Sequence, residues 1–160
     1  MDYLIGSLAI GIGPTTLIDT WALIRRRLFG IAPPDYALVG RWIGHMRRGR
    51  FRHESISRAT PIRSERLIGW TVHYATGIVF AGILLAIGGP VWAQRPTLAL
   101  ALLVGIATVA APFLLMQPGM GAGIAANRTP RPNAARVQSL LTHALFGVGL
   151  FLSALLVSEL

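Results

Sequence analysis

Residues 71–85, TVHYATGIVFAGILL, and residues 141–156, LTHALFGVGLFLSALL, decide the fold. Each is apolar enough to lie in lipid. Each carries one histidine, His73 or His143, with a glycine four residues on, Gly77 or Gly147. Neither shows the apolar–polar alternation of a half-buried strand. With their flanks they reach about 20 residues, the length a helix needs to cross ~30 Å of hydrocarbon. Four such blocks run at roughly 4–24, 67–88, 97–116 and 137–157. Lipid offers no partner for bare backbone polar groups, so blocks of this length read as helices. The expected fold is all-α: a polytopic bundle of four transmembrane helices forming one membrane domain over 1–160.

Charge is fenced off from these blocks. The chain is 13% charged, where a soluble domain carries about 25%. All fifteen basic residues are arginine, and eleven lie in the 42-residue stretch from Arg25 to Arg66. Arg128, Arg131 and Arg136 separate the third block from the fourth, and only Arg95 separates the second from the third. Positive-inside bias then puts both arginine-bearing connections in the cytoplasm and both termini on the outer side of the membrane. Asp2 precedes the first block and Arg25, Arg26 and Arg27 follow it, the reverse of a cleaved signal peptide. The net charge of +9 is explained by arginines meeting anionic phospholipid headgroups, worth ~1 kcal/mol each near the surface. Nucleic acid is not an expected partner. Without cysteine the chain has no disulfide, thiolate metal site or thiol nucleophile.

The long connection has its own pattern. In residues 32–56, APPDYALVGRWIGHMRRGRFRHESI, two prolines and Asp35 signal a new helix. Val39, Trp42, Ile43 and Met46 follow at i, i+3, i+4 and i+7, with Arg41, His45 and Arg48 directed mostly elsewhere. The expectation is a short interfacial amphipathic helix in the headgroup plane. Ser64 and Glu65 suit the start of the second span, and Asn133 that of the helix entering the fourth. Thr15, Thr16 and Ser139 suit bonds back to carbonyls of their own helices, and Trp21, Trp70, Trp92 and Tyr3 suit aromatic belts.

The second connection is glycine-rich, and Gly119, Gly121 and Gly123 can present several N–H groups to one point. With Arg128, such a nest suits an anion or a lipid headgroup. A tight turn at the membrane surface needs the same glycines.

Depth brings the ionisable groups together. His73 and His143 lie about six residues inside their spans, ~9 Å below the boundary, and Asp19 about five residues, ~8 Å deep. Gln117 lies just above them. Ionisable residues in lipid normally face the bundle interior and find partners. Asp19, His73 and His143 are therefore candidate ligands of a haem iron or a divalent metal, with Gln117 beside them as a small-ligand contact. The same residues suit a polar clasp between helices in a structural or accessory subunit. They also suit an ion, solute or proton pathway in a homo-oligomer. A membrane enzyme acting on a lipid headgroup is a fourth reading, but no motif assigns a catalytic residue. Met116 and Met120 frame the glycine turn near His45 and His53, a weak pointer to Cu(I).

Two internal matches suggest a parallel repeat. Pro14 precedes Asp19 by five residues, as Pro112 precedes Gln117, and the second and fourth spans share the H-x-x-x-G pair.

The segments GRWIGHMRRGRFRH (40–53), GWTVHYATGIVFA (69–81) and MQPGMGAGIAANRTPRP (116–132) resemble a family of small bacterial membrane proteins of unknown function. The resemblance spans nearly the whole chain, is most distinctive at M-Q-P-G-M-G, and places His45, His53, His73 and His143 in recurrent segments. It implies a four-span inner-membrane protein and assigns no functional residue.

Overall fold

A computed structural model describes residues 3–159, with side chains from Ile5 onward; Asp2 and the Tyr3 side chain lie outside the described residues. The chain is helical throughout its ordered elements: α1 (Tyr3–Phe29), α2 (Tyr36–Met46), α3 (Glu65–Gln94), α4 (Leu98–Ala107), α5 (Gln117–Met120) and α6 (Pro132–Ser158). Among the described residues four stretches are long and apolar enough to cross a membrane: Ile5–Phe29, Glu65–Gln94, Leu98–Met120 and Pro132–Ser158. Each starts within a few residues of its expected block, and each runs further at its C-terminal end. α1 passes through its three arginines and stops where Gly30, at φ 65°, turns its N–H back to the Arg26 carbonyl (3.1 Å). A left-handed glycine closing a helix in this way is a common stop.

The chain divides into two compact units, taken in turn. Among the described residues, the first comprises 3–34, 74–108 and 141–159. Its core is apolar and small: Ile10, Ala81, Leu84, Ala101, Leu150 and Ala154 are all but inaccessible. Large apolar side chains point outward instead, including Ile5, Val79, Ile87, Leu103 and Leu156. Many large apolar side chains facing outward is the pattern of helices in lipid, where apolar residues gain nothing by hiding and contact rests on close packing.

Glycines allow that packing. A Cβ on Gly11 of α1 would fall 2.5 Å from Ile78 Cα and 3.0 Å from the Gly77 carbonyl of α3. A Cβ on Gly105 of α4 would fall 2.5 Å from Gly147 Cα and 2.9 Å from the His143 carbonyl of α6. Each H-x-x-x-G helix thus meets a glycine of the helix before it in this unit, which gives the suggested repeat a physical counterpart. Pro14 adds a third approach, its Cα 2.6 Å from the Cβ position of Gly149. Thr15 and Thr16 bond the Gly11 and Ile12 carbonyls (2.9 and 3.0 Å), as their spacing suggested.

Two expectations change here. Trp92 is not a belt residue: it is 6% exposed and its Nε1–H reaches Thr97 Oγ1 (3.2 Å). It ties the α3–α4 hairpin, where Gly89 (φ 66°) and Pro90 kink the end of α3. The third span is not one even helix. Pro112 has no N–H for the Thr108 carbonyl, so the helix loosens into a turn at Thr108–Val109. A π-helical stretch, Pro112–Met116, then carries the chain into α5, with the Gln117 N–H on the Pro112 carbonyl.

The second unit comprises residues 35–73 and 109–140. Asp35 caps α2 as expected, accepting from the Ala37 N–H (3.0 Å). The protein-facing side of α2 carries Gly40, Arg41 and His45, all buried, so Arg41 is not a rim residue of the helix; Val39, Trp42, Ile43 and Met46 are half-buried. An apolar stripe can stay at a lipid boundary, so the helix turns its hydrogen-bonding face to the protein. Gly40 and Gly69 allow this approach: a Cβ on the first would strike the Glu65 carbonyl, and on the second the Tyr36 carbonyl. α6 begins at Pro132, so Asn133 lies inside the helix and its Oδ1 accepts from Arg136 Nη1 (3.0 Å).

Candidate functional site

The second unit holds a dense polar cluster beneath α2. Arg41 Nε and Nη2 grip the Glu65 carboxylate edge-on at 2.9 Å each. Its Nη1 reaches the carbonyls of Ile56, Ser57 and Ala59 at 3.1–3.3 Å. The planar fork thus fixes α2, the start of α3 and the loop between them. The Glu65 carboxylate holds the guanidinium pKa above its ordinary value, against the opposing effect of burial. Glu65 Oε2 also accepts from the Ile62 N–H (3.1 Å), which closes the turn ahead of α3.

One turn along α2, His45 is 4% exposed and lies 2.8 Å, Nδ1 to Nε2, from His53. The partners fix the protons. Thr60 presents a carbonyl to His45 Nε2 (3.0 Å), so that nitrogen carries hydrogen and Nδ1 accepts. His53 Nε2–H is then the donor between the rings. Its Nδ1 stands 3.4 Å from the Gly119 carbonyl, which already takes the His53 backbone N–H at 2.9 Å. Burial is the main influence holding His53 below the ordinary histidine pKa; the Gly119 carbonyl opposes it, and His45 and Arg50 add to it.

The glycine turn serves this packing. A Cβ on Gly119 would meet the Trp42 indole at 2.6 Å, and one on Gly121 (φ 97°) would strike the Glu54 carbonyl. Trp42 Nε1–H in turn donates to the Phe51 carbonyl (2.9 Å). The Gly121 and Ala122 N–H groups return to Pro118 and Gln117 carbonyls (3.3 and 2.8 Å), and Gly123 faces the Asn127 and Arg128 side chains. The M-Q-P-G-M-G segment is therefore the seat of the 51–54 loop.

His143, in the first unit, places Nδ1 2.8 Å from Thr108 Oγ1 and 3.3 Å from the Gly105 carbonyl. Thr108 already donates its hydroxyl to Gly105, so His143 Nδ1 must be the donor. The bond lands where α4 loosens, so this histidine joins α6 to the break. His73, in the second unit, stacks on Tyr36 at 4.0 Å and meets Trp70 edge-on at 5.8 Å. Asp19 is half-buried in the first unit; Gln117, in the second, has a buried Oε1 with no hydrogen bond among the described residues, and Arg128 is exposed. Among the described residues no three His, Cys, Asp or Glu side chains form a group that could hold a metal ion.

Spacing alone did not single out Arg41 with Glu65, or Arg25. Arg25 is 7% exposed, and its Nε and Nη1 are buried with no hydrogen-bond partner among the described residues. The remaining arginines of the second unit, all but Arg41 and Arg136, are exposed, against exposed acids at Asp35 and Glu54 only.

Four apolar helices with outward-facing large side chains, and a polar cluster beneath a short α2, define a multi-pass membrane protein. The chain belongs to the family described as a protein of unknown function, DUF2938, whose model matches residues 8–157. No curated protein and no solved structure matches it.

Proposed function

We propose that the chain is an integral protein of the bacterial inner membrane whose second unit forms the cytoplasmic face. Its role there is to bind anionic phospholipid headgroups, as a binding or accessory subunit rather than an enzyme. The carrying observation is the run of exposed arginines on that unit, opposed by only two exposed acids. Each arginine near an anionic surface contributes about 1 kcal/mol. The polar cluster keeps the loops bearing them in fixed form. Native mass spectrometry of protein from nanodiscs mixing phosphatidylglycerol and phosphatidylcholine tests this. Preferential retention of phosphatidylglycerol, lost at high salt, is expected; equal retention of both lipids would refute the reading.

A second reading, ligation of a haem or divalent metal, is favoured by the His143 tautomer. Donation from Nδ1 leaves the Nε2 lone pair for a metal, the usual outer-shell arrangement of a metal-binding histidine. Asp19 and His73 are the further ligands this reading would recruit. It expects a Soret band or stoichiometric metal in protein purified in mild detergent, lost in His143→Ala. Colourless, metal-free protein leaves His143 as a clasp.

A further inference from the structure

Arg25 and Arg41 are almost equally buried, at 7% and 9% exposed, yet they are treated differently. Every nitrogen of the Arg41 guanidinium has an acceptor within the chain. Arg25 differs: its Nε and Nη1 are both inaccessible and unbonded among the described residues. It is one of three consecutive arginines near the end of α1, and Arg26 and Arg27 are exposed. The helical turn therefore directs one cation inward and two outward. The negative end of the α1 dipole favours a cation here, but it supplies no acceptor. Burying two guanidinium nitrogens without acceptors is costly, because they lose water and gain nothing in its place.

We propose that Arg25 anchors a binding site for one phosphate-type oxyanion at the C-terminal end of α1. Such an anion answers this deficit, bringing several acceptor oxygens and a negative charge to a donor fork shaped for it. Its source is either the headgroup of a lipid entering the protein or a free phosphate. The site is separate from the exposed arginines of the second unit, and its test is separable from theirs.

The experiment is thermal melting of delipidated full-length protein, Arg25→Gln beside the wild type. The probes are inorganic phosphate, with chloride matched for ionic strength, and phosphatidylglycerol in mixed micelles. Phosphate also stabilises proteins generally, so the difference between the two proteins is the readout. Without a probe, Arg25→Gln is expected to melt at or above the wild type, because two buried donors without acceptors have been removed. With a probe a hundredfold above its Kd, the wild type is expected to gain roughly 5–10 °C more than the variant. A gain with phosphatidylglycerol alone identifies a lipid headgroup; a gain with phosphate as well identifies a free anion. Arg47→Gln/Arg48→Gln, on the exposed face, keeps the gain while weakening any surface lipid retention. Should Arg25→Gln fail to fold, Arg25→Lys, a point charge in place of a fork, is expected to keep only part of the gain. Equal gains in wild type and variant, or no gain in either, would overturn the proposal.

Discussion

At the scale of the residue, Arg41 shows what a buried charge requires in this fold. Its side chain and that of Glu65 are 11% and 19% exposed, so water screens the pair only partly. Removing one partner from a fully buried pair costs about 3–5 kcal/mol, mostly through the charge left behind. Residual exposure lowers the expectation for Glu65→Gln or Arg41→Met to about 2–4 kcal/mol, read as a lower melting temperature in detergent. Arg41→Met/Glu65→Leu together is expected to recover much of that loss, because no lone charge remains. None of this was legible as a pair. The partners are 24 positions apart, and Arg41 stands among many arginines that do face solvent. Arg25 was hidden for a related reason: three adjacent arginines read as one boundary signal, although helical geometry must point them in three directions. Asp35, by contrast, acts on a neighbour two residues away, and such local chemistry can be read from sequence.

At the scale of the element, two kinds of contact decide stability. The glycine crossings admit no side chain. Gly105→Ala is expected to cost roughly 1–3 kcal/mol, since its Cβ would meet the Gly147 backbone and only a helix shift can relieve it. Gly82→Ala is the control: its Cβ would lie 3.3 Å from the Ser7 hydroxyl, a side-chain atom rather than backbone, and a smaller loss than at Gly105 is expected. Melting the two variants in one detergent decides whether backbone approach, rather than glycine as such, is what matters. The second contact is the His45–His53 pair holding the 51–54 loop. Burial holds the folded pKa of His53 below its ordinary 6.5, so the unfolded chain binds more protons between the two values. The pair's stabilisation is therefore whole above pH 6.5 and is lost as pH falls through the folded value. An added proton would sit on His53 Nδ1, facing the Gly119 carbonyl but repelled by Arg50 and by any charge on His45. The protection of the 51–54 amides, taken relative to their intrinsic exchange rate at each pH, is expected to fall as pH drops below 6.5 in the wild type. His53→Gln, which cannot titrate, is expected to flatten that dependence. Spacing kept these two histidines apart from the membrane pair without revealing their bond, because the bond depends on a glycine turn far along the chain.

At the scale of the whole molecule, the four spans were legible because length and apolarity are all that lipid demands of a crossing helix. Orientation is legible in the same terms but needs its own test. Arginines hold a connection on the cytoplasmic side because they are costly to move across against the membrane potential and are attracted by anionic lipid. With eleven of them between Arg25 and Arg66, that connection is expected inside and residue 159 outside. The chain has no cysteine, so single-cysteine variants report position without any background mutation. Glu159→Cys and Arg52→Cys both replace exposed side chains. In intact cells a membrane-impermeant maleimide is expected to label Glu159→Cys and to spare Arg52→Cys until the membrane is broken. The reverse pattern would put the arginine face outside, and the lipid-binding role would then need anionic partners in the opposite leaflet. A further variant separates charge from packing: replacing the exposed Arg47, Arg48, Arg50 and Arg52 with glutamine removes the local excess while leaving the Arg41 cluster intact. If charge sets orientation, a mixed population is expected in which Glu159→Cys labelling falls below complete. If Glu159→Cys is still labelled in full, the arginines of the other connections suffice, and those between residues 47 and 52 serve the bound lipid instead.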